Sequence, residues 1–376
     1  MSKPLDRLSR AGVSVWVDSI ARDWLERGEL LRLRDTASVV GVTSNPTIFE
    51  AAMTEGTSYD REVADLAAQG LDTDAIFEHL ALADIRTAAD QLADVHRSTG
   101  GADGYVSFEV APTLARDGQG SAREAERLWD ELDRPNVMIK IPATREGLVA
   151  VRAAIAAGIN VNVTLIFSLE RYREVVEAYL QGLEDRVAAG AEIDSVASVA
   201  SFFVSRVDGH VDPLLRQRAE AIGHEAELAR ARIGTAAIDN ARLAYRAWSE
   251  LFSSERWRAL SARGARPQRC LWASTSTKDP AFRDVVYCEQ LVGQDTVNTM
   301  PLATLEAFQD HGNVEPDSIG AEPERAARLW AELASLGIHE QAVTDELERD
   351  GLDRFASSYR AALDAVAAKA ASTAAG

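Results

Sequence analysis

Short runs rich in β-branched residues alternate along the chain with longer stretches rich in Ala, Leu, Arg and Glu. The first pattern reads as strand and the second as helix. Eight such runs occur, at 13–19, 39–44, 105–110, 137–142, 161–167, 196–203, 270–274 and 297–300, and each precedes a plausible helix. Eight β-then-α units with no two consecutive strands predict a parallel sheet, and eight is the number that closes such a sheet into a (β/α)8 TIM barrel. A doubly wound open sheet is the competing arrangement. A single barrel domain spanning 1–376 leaves two segments over. Residues 57–99, after the second run, offer two or three amphipathic helices, and the chain reads as helical again from about 323 to 376. Both are expected to pack outside the barrel, with the Ala-rich tail a docking helix that frays at its end.

Side chains alternate across a strand, so residue parity sorts each run into two faces. Val13, Val15 and Val17 oppose Ser14, Trp16 and Asp18; Val106, Phe108 and Val110 oppose Tyr105, Ser107 and Glu109; Val161, Val163 and Leu165 oppose Asn162 and Thr164. The apolar sets are expected to face the helices. The others then point to the barrel axis, bringing Asp18, Glu109, Asn162 and Thr164 near the carboxyl ends of their strands, where barrel active sites lie.

Composition narrows the function. Of 376 residues 46% are hydrophobic, enough for a sizeable core, and 40 basic against 59 acidic residues leave a formal charge of −19. Such a surface repels phosphate backbones and anionic membranes, so no nucleic-acid or membrane partner is expected. Cys270 and Cys288 are the only cysteines and form no CxxC, which excludes a disulfide scaffold and suits a reducing compartment. With no signal-peptide core in the opening residues and no apolar stretch of spanning length, a cytoplasmic protein is expected. The oligomer is left as monomer or homodimer.

Lysine occurs only at positions 3, 140, 278 and 369, so generic cations here are arginines. Lys140 nevertheless sits inside VMIKIPAT, an apolar run that reads as a central strand, where a charge carries a desolvation cost. An arginine stays protonated at any useful pH, whereas a buried lysine can become a neutral nucleophile towards carbonyls. Schiff-base chemistry is one reading; a structural lysine paired with a neighbouring carboxylate is the other, and Asp18 or Glu109 could serve either. No HExxH, paired-His or Cys/His cluster provides metal ligands, and no GxGxxG after a strand, GxxxxGK[ST] or GxSxG occurs. No metal or cofactor is expected.

The residues also carry a resemblance. WVDSIARDWLERGEL followed by GVTSNPTIFEAAM, then YVSFEVAP, VMIKIPAT, NVTLIFS, SFFVSRVDGHVD, LWASTSTKDP and NTMPLATLEAF, resemble in order the successive βα units of the transaldolases, in their longer bacterial form. The resemblance implies a barrel whose fourth strand bears the imine-forming lysine, and the independent count places Lys140 on the fourth run. It further implies Asp18 as general acid/base at the sugar C4 hydroxyl, and Glu109 with Thr164 as holders of a catalytic water. By the same resemblance Asn45, Asn162 and Ser201 orient the dihydroxyacetone hydroxyls, and Arg206 and Ser274 bind phosphate. One departure follows Ser274: shorter relatives continue with a phenylalanine and a phosphate-binding arginine, whereas this chain reads Thr275, Ser276, Thr277, Lys278. Lys278 is the candidate replacement for that charge.

The implied reaction moves a dihydroxyacetone unit between phosphorylated sugars: sedoheptulose 7-phosphate and glyceraldehyde 3-phosphate exchange with erythrose 4-phosphate and fructose 6-phosphate, a step of the pentose phosphate pathway. Two neighbouring readings are a class I aldolase that releases free dihydroxyacetone and a non-catalytic sugar-phosphate binding barrel. The complete set Asp18, Glu109, Lys140 and Thr164 argues against the second.

Overall fold

The computed structural model describes residues 3–374. Its eight strands are β1 (Val13–Asp18), β2 (Val39–Thr43), β3 (Tyr105–Glu109), β4 (Val137–Pro142), β5 (Val161–Ile166), β6 (Ser198–Phe203), β7 (Arg269–Ala273) and β8 (Thr296–Met300). Every neighbouring pair is parallel and β8 returns to β1, so the sheet is a closed barrel in chain order. The eight-run reading therefore holds and the open doubly wound sheet does not. The outward faces supply the interface with the helices through residues such as Val15, Val17, Val106, Ile139, Val161 and Val163, all buried.

The lower barrel is plugged by side chains. Trp16 and Gly41 are register partners on β1 and β2, and a Cβ built on Gly41 would lie 2.4 Å from the Trp16 indole. Glycine is thus the residue that lets the indole fill the axis. Around it, Ser14 Oγ donates to Asp103 Oδ2 (2.7 Å), Arg269 Nη1 donates to Ser14 Oγ (2.8 Å) and Arg269 Nη2 pairs with Asp103 Oδ1 at 3.0 Å. This closes the amino-terminal end, the stability end of such barrels, and leaves the carboxyl end for chemistry.

Between β2 and β3 three helices form, Pro46–Thr54 and, in the 57–99 segment, Asp60–Ala68 and Thr73–Ser98, the longest packing on β2 and β3. Buried Asp84 on it binds the Tyr59 hydroxyl (2.7 Å) and the guanidinium of Arg22, tying the segment to the short Arg22–Glu26 helix after β1. After β8 and the helix that follows it, Leu302–His311, come the helices Pro323–Ser335 and Glu340–Ala374. The second packs outside the strands on the Asp60–Ala68, Thr73–Ser98 and Ser205–Ala219 helices. It also runs over the carboxyl mouth, where it meets the Pro46–Thr54 helix, the 112–114 turn and β5. Gly351 permits this close approach: a Cβ there would be 2.9 Å from Leu165 Cδ2. The expected fraying of the tail falls on residues 375–376, outside the described residues.

Parity also fails at one place. Leu165 was assigned to the helix-facing side, yet the β5–β6 register slips between Val163 and Ile166 and Leu165 has φ +60°. A bulge turns the side chain out of alternation and towards Gly351 of the C-terminal helix. Among the described residues no helix is long and apolar enough to cross a membrane. Cys270 and Cys288 are both buried, and burial pushes each thiol up to about 12.

Gly41→Ala is expected to lower stability by about 1–3 kcal/mol through overpacking against Trp16. A urea midpoint equal to that of the unmodified protein would show that the indole has room to move.

Candidate active site

The barrel register assembles the site. Glu109 on β3, Lys140 on β4 and Asn162 on β5 are successive register partners, as are Asp18 on β1 and Thr43 on β2. Partners on parallel strands share a face, so these side chains converge on the axis near the carboxyl ends. Above them opens a cavity of about 420 Å3 lined by Asp18, Asn45, Lys140, Thr164, Ser201, Arg206, Ser274 and Lys278, with Thr43, Phe203, Thr299 and Phe355 completing the wall. Of the sequence-predicted residues only Glu109 and Asn162 stand behind that wall.

Lys140 is the hub. Its Nζ lies 3.0 Å from Glu109 Oε2 and donates to the Ser44 carbonyl at 3.0 Å. The amine also faces the Phe355 ring, 5.4 Å from its centroid, brought there by the C-terminal helix. The amine is therefore paired, as the structural reading anticipated, yet it still borders an open cavity. Lys140 and Glu109 are 4% and 8% exposed, so the pair is nearly desolvated and each charge depends on the other. Burial raises the Glu109 carboxyl above its ordinary value, against the lowering by Lys140.

Asp18 keeps part of its surface open to the cavity but is walled by protein, and this burial raises its carboxyl despite hydrogen bonds from Thr43 and Asn45 and the charge of Lys140. Thr43 Oγ1 donates to Asp18 Oδ1 at 2.5 Å and lies 2.6 Å from Thr299 Oγ1. A hydroxyl has one proton, so Thr43 donates to Asp18 while accepting from Thr299, which fixes the carboxylate's rotamer. Asn45 caps the Pro46–Thr54 helix, its Oδ1 accepting from the Ile48 amide at 3.0 Å, while its Nδ2 reaches Asp18 at 3.5 Å.

On the opposite wall Ser201 Oγ donates to Asn162 Oδ1 (2.7 Å), and Asn162 Nδ2 donates to Ser107 Oγ (3.0 Å). Asn162 thus orients Ser201 from beneath the floor. Thr164 Oγ1 is buried with no hydrogen-bond partner among the described residues, which suits a group that must bind something else. Ser274 takes φ +56° at the end of β7, and its Oγ lies 2.9 Å from that of Ser205. Arg206 stacks its guanidinium 5.0 Å from the Phe203 centroid and keeps Nη1 buried without a hydrogen-bond partner. Lys278 stands beside them, donating to Ser276 Oγ at 2.6 Å.

Sequence reasoning missed Thr43, Thr299 and Phe355. Thr43 was findable, since parity places it with Gly41 on the inner face of its run. Phe355 carried no signal, because nothing in an amphipathic tail says which surface it covers.

Fold and cavity define an eight-stranded α/β barrel with a polar site at the carboxyl ends of its strands. A family profile described as transaldolase/fructose-6-phosphate aldolase matches residues 15–366, and the chain belongs to that family. Proteins named transaldolase from Parafrankia sp. (strain EAN1pec) and Thermobifida fusca (strain YX) are each 50% identical to it over 367 residues, covering 97% and 98% of this chain and 98% of each relative. The transaldolase of Mycolicibacterium smegmatis is 48% identical over 361 residues, 96% of both chains.

Two outcomes are expected. Lys140→Met strands the Glu109 charge and should cost about 3–5 kcal/mol, most of it recovered in Lys140→Met with Glu109→Gln; additive losses in urea unfolding would mean that the two side chains are not coupled. Because the folded chain holds the Asp18 proton at pH values where the unfolded chain has released it, unfolding sheds a proton and stability falls as pH rises from the ordinary aspartate range to the raised native value. Asp18→Asn should flatten that slope, and an identical slope in both proteins would remove Asp18 as its source.

Proposed function

We propose that the chain is a transaldolase, transferring a dihydroxyacetone unit from a ketose phosphate to an aldose phosphate through a Schiff base on Lys140. The observation that carries this is a primary amine at the wall of a polar cavity, 3.0 Å from one carboxylate and sharing the cavity with a second, that of Asp18.

Attack on a carbonyl needs the amine's lone pair, so the ammonium must first lose a proton. Glu109 is placed to take it: its carboxyl is raised by burial, which brings the neutral pair closer in energy to the ion pair. The Lys140 nitrogen adds to C2 of the ketose, and the carbinolamine loses water to give a protonated imine. Glu109 and the unpartnered hydroxyl of Thr164 hold and protonate that departing water. The C3–C4 bond then breaks, its electron pair passing into the imine to form an enamine, while Asp18 takes the C4 hydroxyl proton as the aldose phosphate leaves. The enamine adds to the aldehyde of a second aldose phosphate, Asp18 returns the proton, and hydrolysis frees the lysine. No cofactor enters any step. Ser201 and Asn45 orient the donor hydroxyls, with Asn162 holding Ser201, and Arg206, Ser274 and Lys278 receive the phosphate.

Borohydride reduction with fructose 6-phosphate, followed by peptide mass mapping, is expected to show a three-carbon or ketose adduct on Lys140. An adduct elsewhere, or none, removes the proposed nucleophile.

A further inference from the structure

The cavity above Lys140 opens, through Arg206, Ser274 and Lys278, into a second of about 450 Å3 whose far wall is the C-terminal helix. Leu347, Asp350, Gly351, Arg354 and Phe355 recur at helical spacing, and this face meets the barrel mouth. Phe355 enters the first cavity and Arg354 the second. Gly351 brings the helix so near that a Cβ there would lie 3.4 Å from Arg206 Nη1.

Two guanidiniums, Arg206 and Arg354, therefore border one space with Lys278. In this chain most arginines near a carboxylate are ion-paired with it, as Arg152 is with Asp185, Arg256 with Glu184 and Arg325 with Asp239. Among the described residues neither Arg206 nor Arg354 has an ion-pair partner, although Asp350 borders the same space. His210, also on this wall, is turned to Glu346 at 3.8 Å. Asp18 and Asp350 offset part of the positive charge here, but neither is in contact with a guanidinium, and an anion entering between the two arginines relieves their mutual repulsion. Burial first and then the charge of Arg354 hold the Arg206 guanidinium below its ordinary value, against the opposite pull of Asp18 and Asp350. The first turn of the Ser205–Ala219 helix adds partial positive charge from the same side.

We infer that Arg354 is a substrate-binding residue: it closes on the phosphate of the sugar from the C-terminal helix, opposite Arg206, so that this helix selects phosphorylated over unphosphorylated ketoses. The inference rests on the proposed function, since it takes the cavity to hold a ketose phosphate. Arg354 is exposed, so its substitution leaves the core intact.

The test compares Arg354→Ala, Arg354→Lys and, as a control on the same helix, Arg360→Ala, with fructose 6-phosphate and with fructose as donors. Arg354→Ala should raise KM for fructose 6-phosphate roughly tenfold, the loss of one charge-assisted contact, with kcat nearly unchanged. Competitive inhibition by inorganic phosphate should weaken by a similar factor. KM for fructose should not move, Arg354→Lys should recover part of the loss, and Arg360→Ala should behave as the unmodified protein. An unchanged KM for fructose 6-phosphate, or an equal loss with both sugars, overturns the inference. Borohydride trapping separates the two levels: an intact Lys140 adduct with a silent Arg354→Ala sinks this assignment alone, whereas no adduct in the unmodified protein sinks the reading beneath it.

Discussion

A buried amine and a buried carboxylate 3.0 Å apart are the constraint around which the upper barrel is arranged. Each ion alone would carry a desolvation penalty of several kcal/mol, and their mutual attraction offsets it only while the geometry is held. The barrel holds it by register. Glu109 and Lys140 are Cα partners on adjacent parallel strands, so their separation follows from the sheet spacing rather than from a flexible loop. The Ser44 carbonyl and the Phe355 ring then occupy two of the remaining approaches to the ammonium. What is left points into the cavity. A nucleophile needs that combination: enough partners to be buried, and one direction free.

The two carboxylates illustrate how environment divides labour between like groups. Both are raised by burial, but they are restrained by different neighbours. Glu109 sits against the amine and can exchange a proton with it directly. Asp18 is held by a hydroxyl relay from Thr299 through Thr43, on the other side of the axis, where it faces the cavity rather than the lysine. Groups that titrate in separate surroundings are the usual sign of separate acid and base roles.

Much of this was legible because strands obey a period of two. Parity alone brought Asp18, Glu109 and Thr164 to one end of the axis, and the scarcity of lysine made Lys140 conspicuous within an apolar strand. The reading broke where the period broke. Leu165, in a bulge with positive φ, left the helix-facing set because its backbone turned, and no residue type in NVTLIF announces that turn. It broke again where a helix chose its surface. Hydrophobic spacing says that Glu340–Ala374 has a buried face, but not that this face meets both the helices after β2 and the barrel mouth, where Leu165 approaches Gly351 and Phe355 faces Lys140.

The acidic surface and the basic pocket are two sides of one electrostatic argument. At a net charge of −19 the average field opposes a phosphorylated sugar, and the ion pairs that cover the chain cancel most arginines locally. Binding energy for a phosphate must then come from cations withheld from such pairs. Arg206, half-covered by Phe203 and with one nitrogen unpartnered in the interior, is withheld by burial. Lys278 donates to a hydroxyl and not to a carboxylate. Pairing these with an aspartate would stabilise the empty protein, but the same stabilisation would have to be given up whenever substrate entered. Leaving these cations without a carboxylate in contact keeps that free energy for a bound anion.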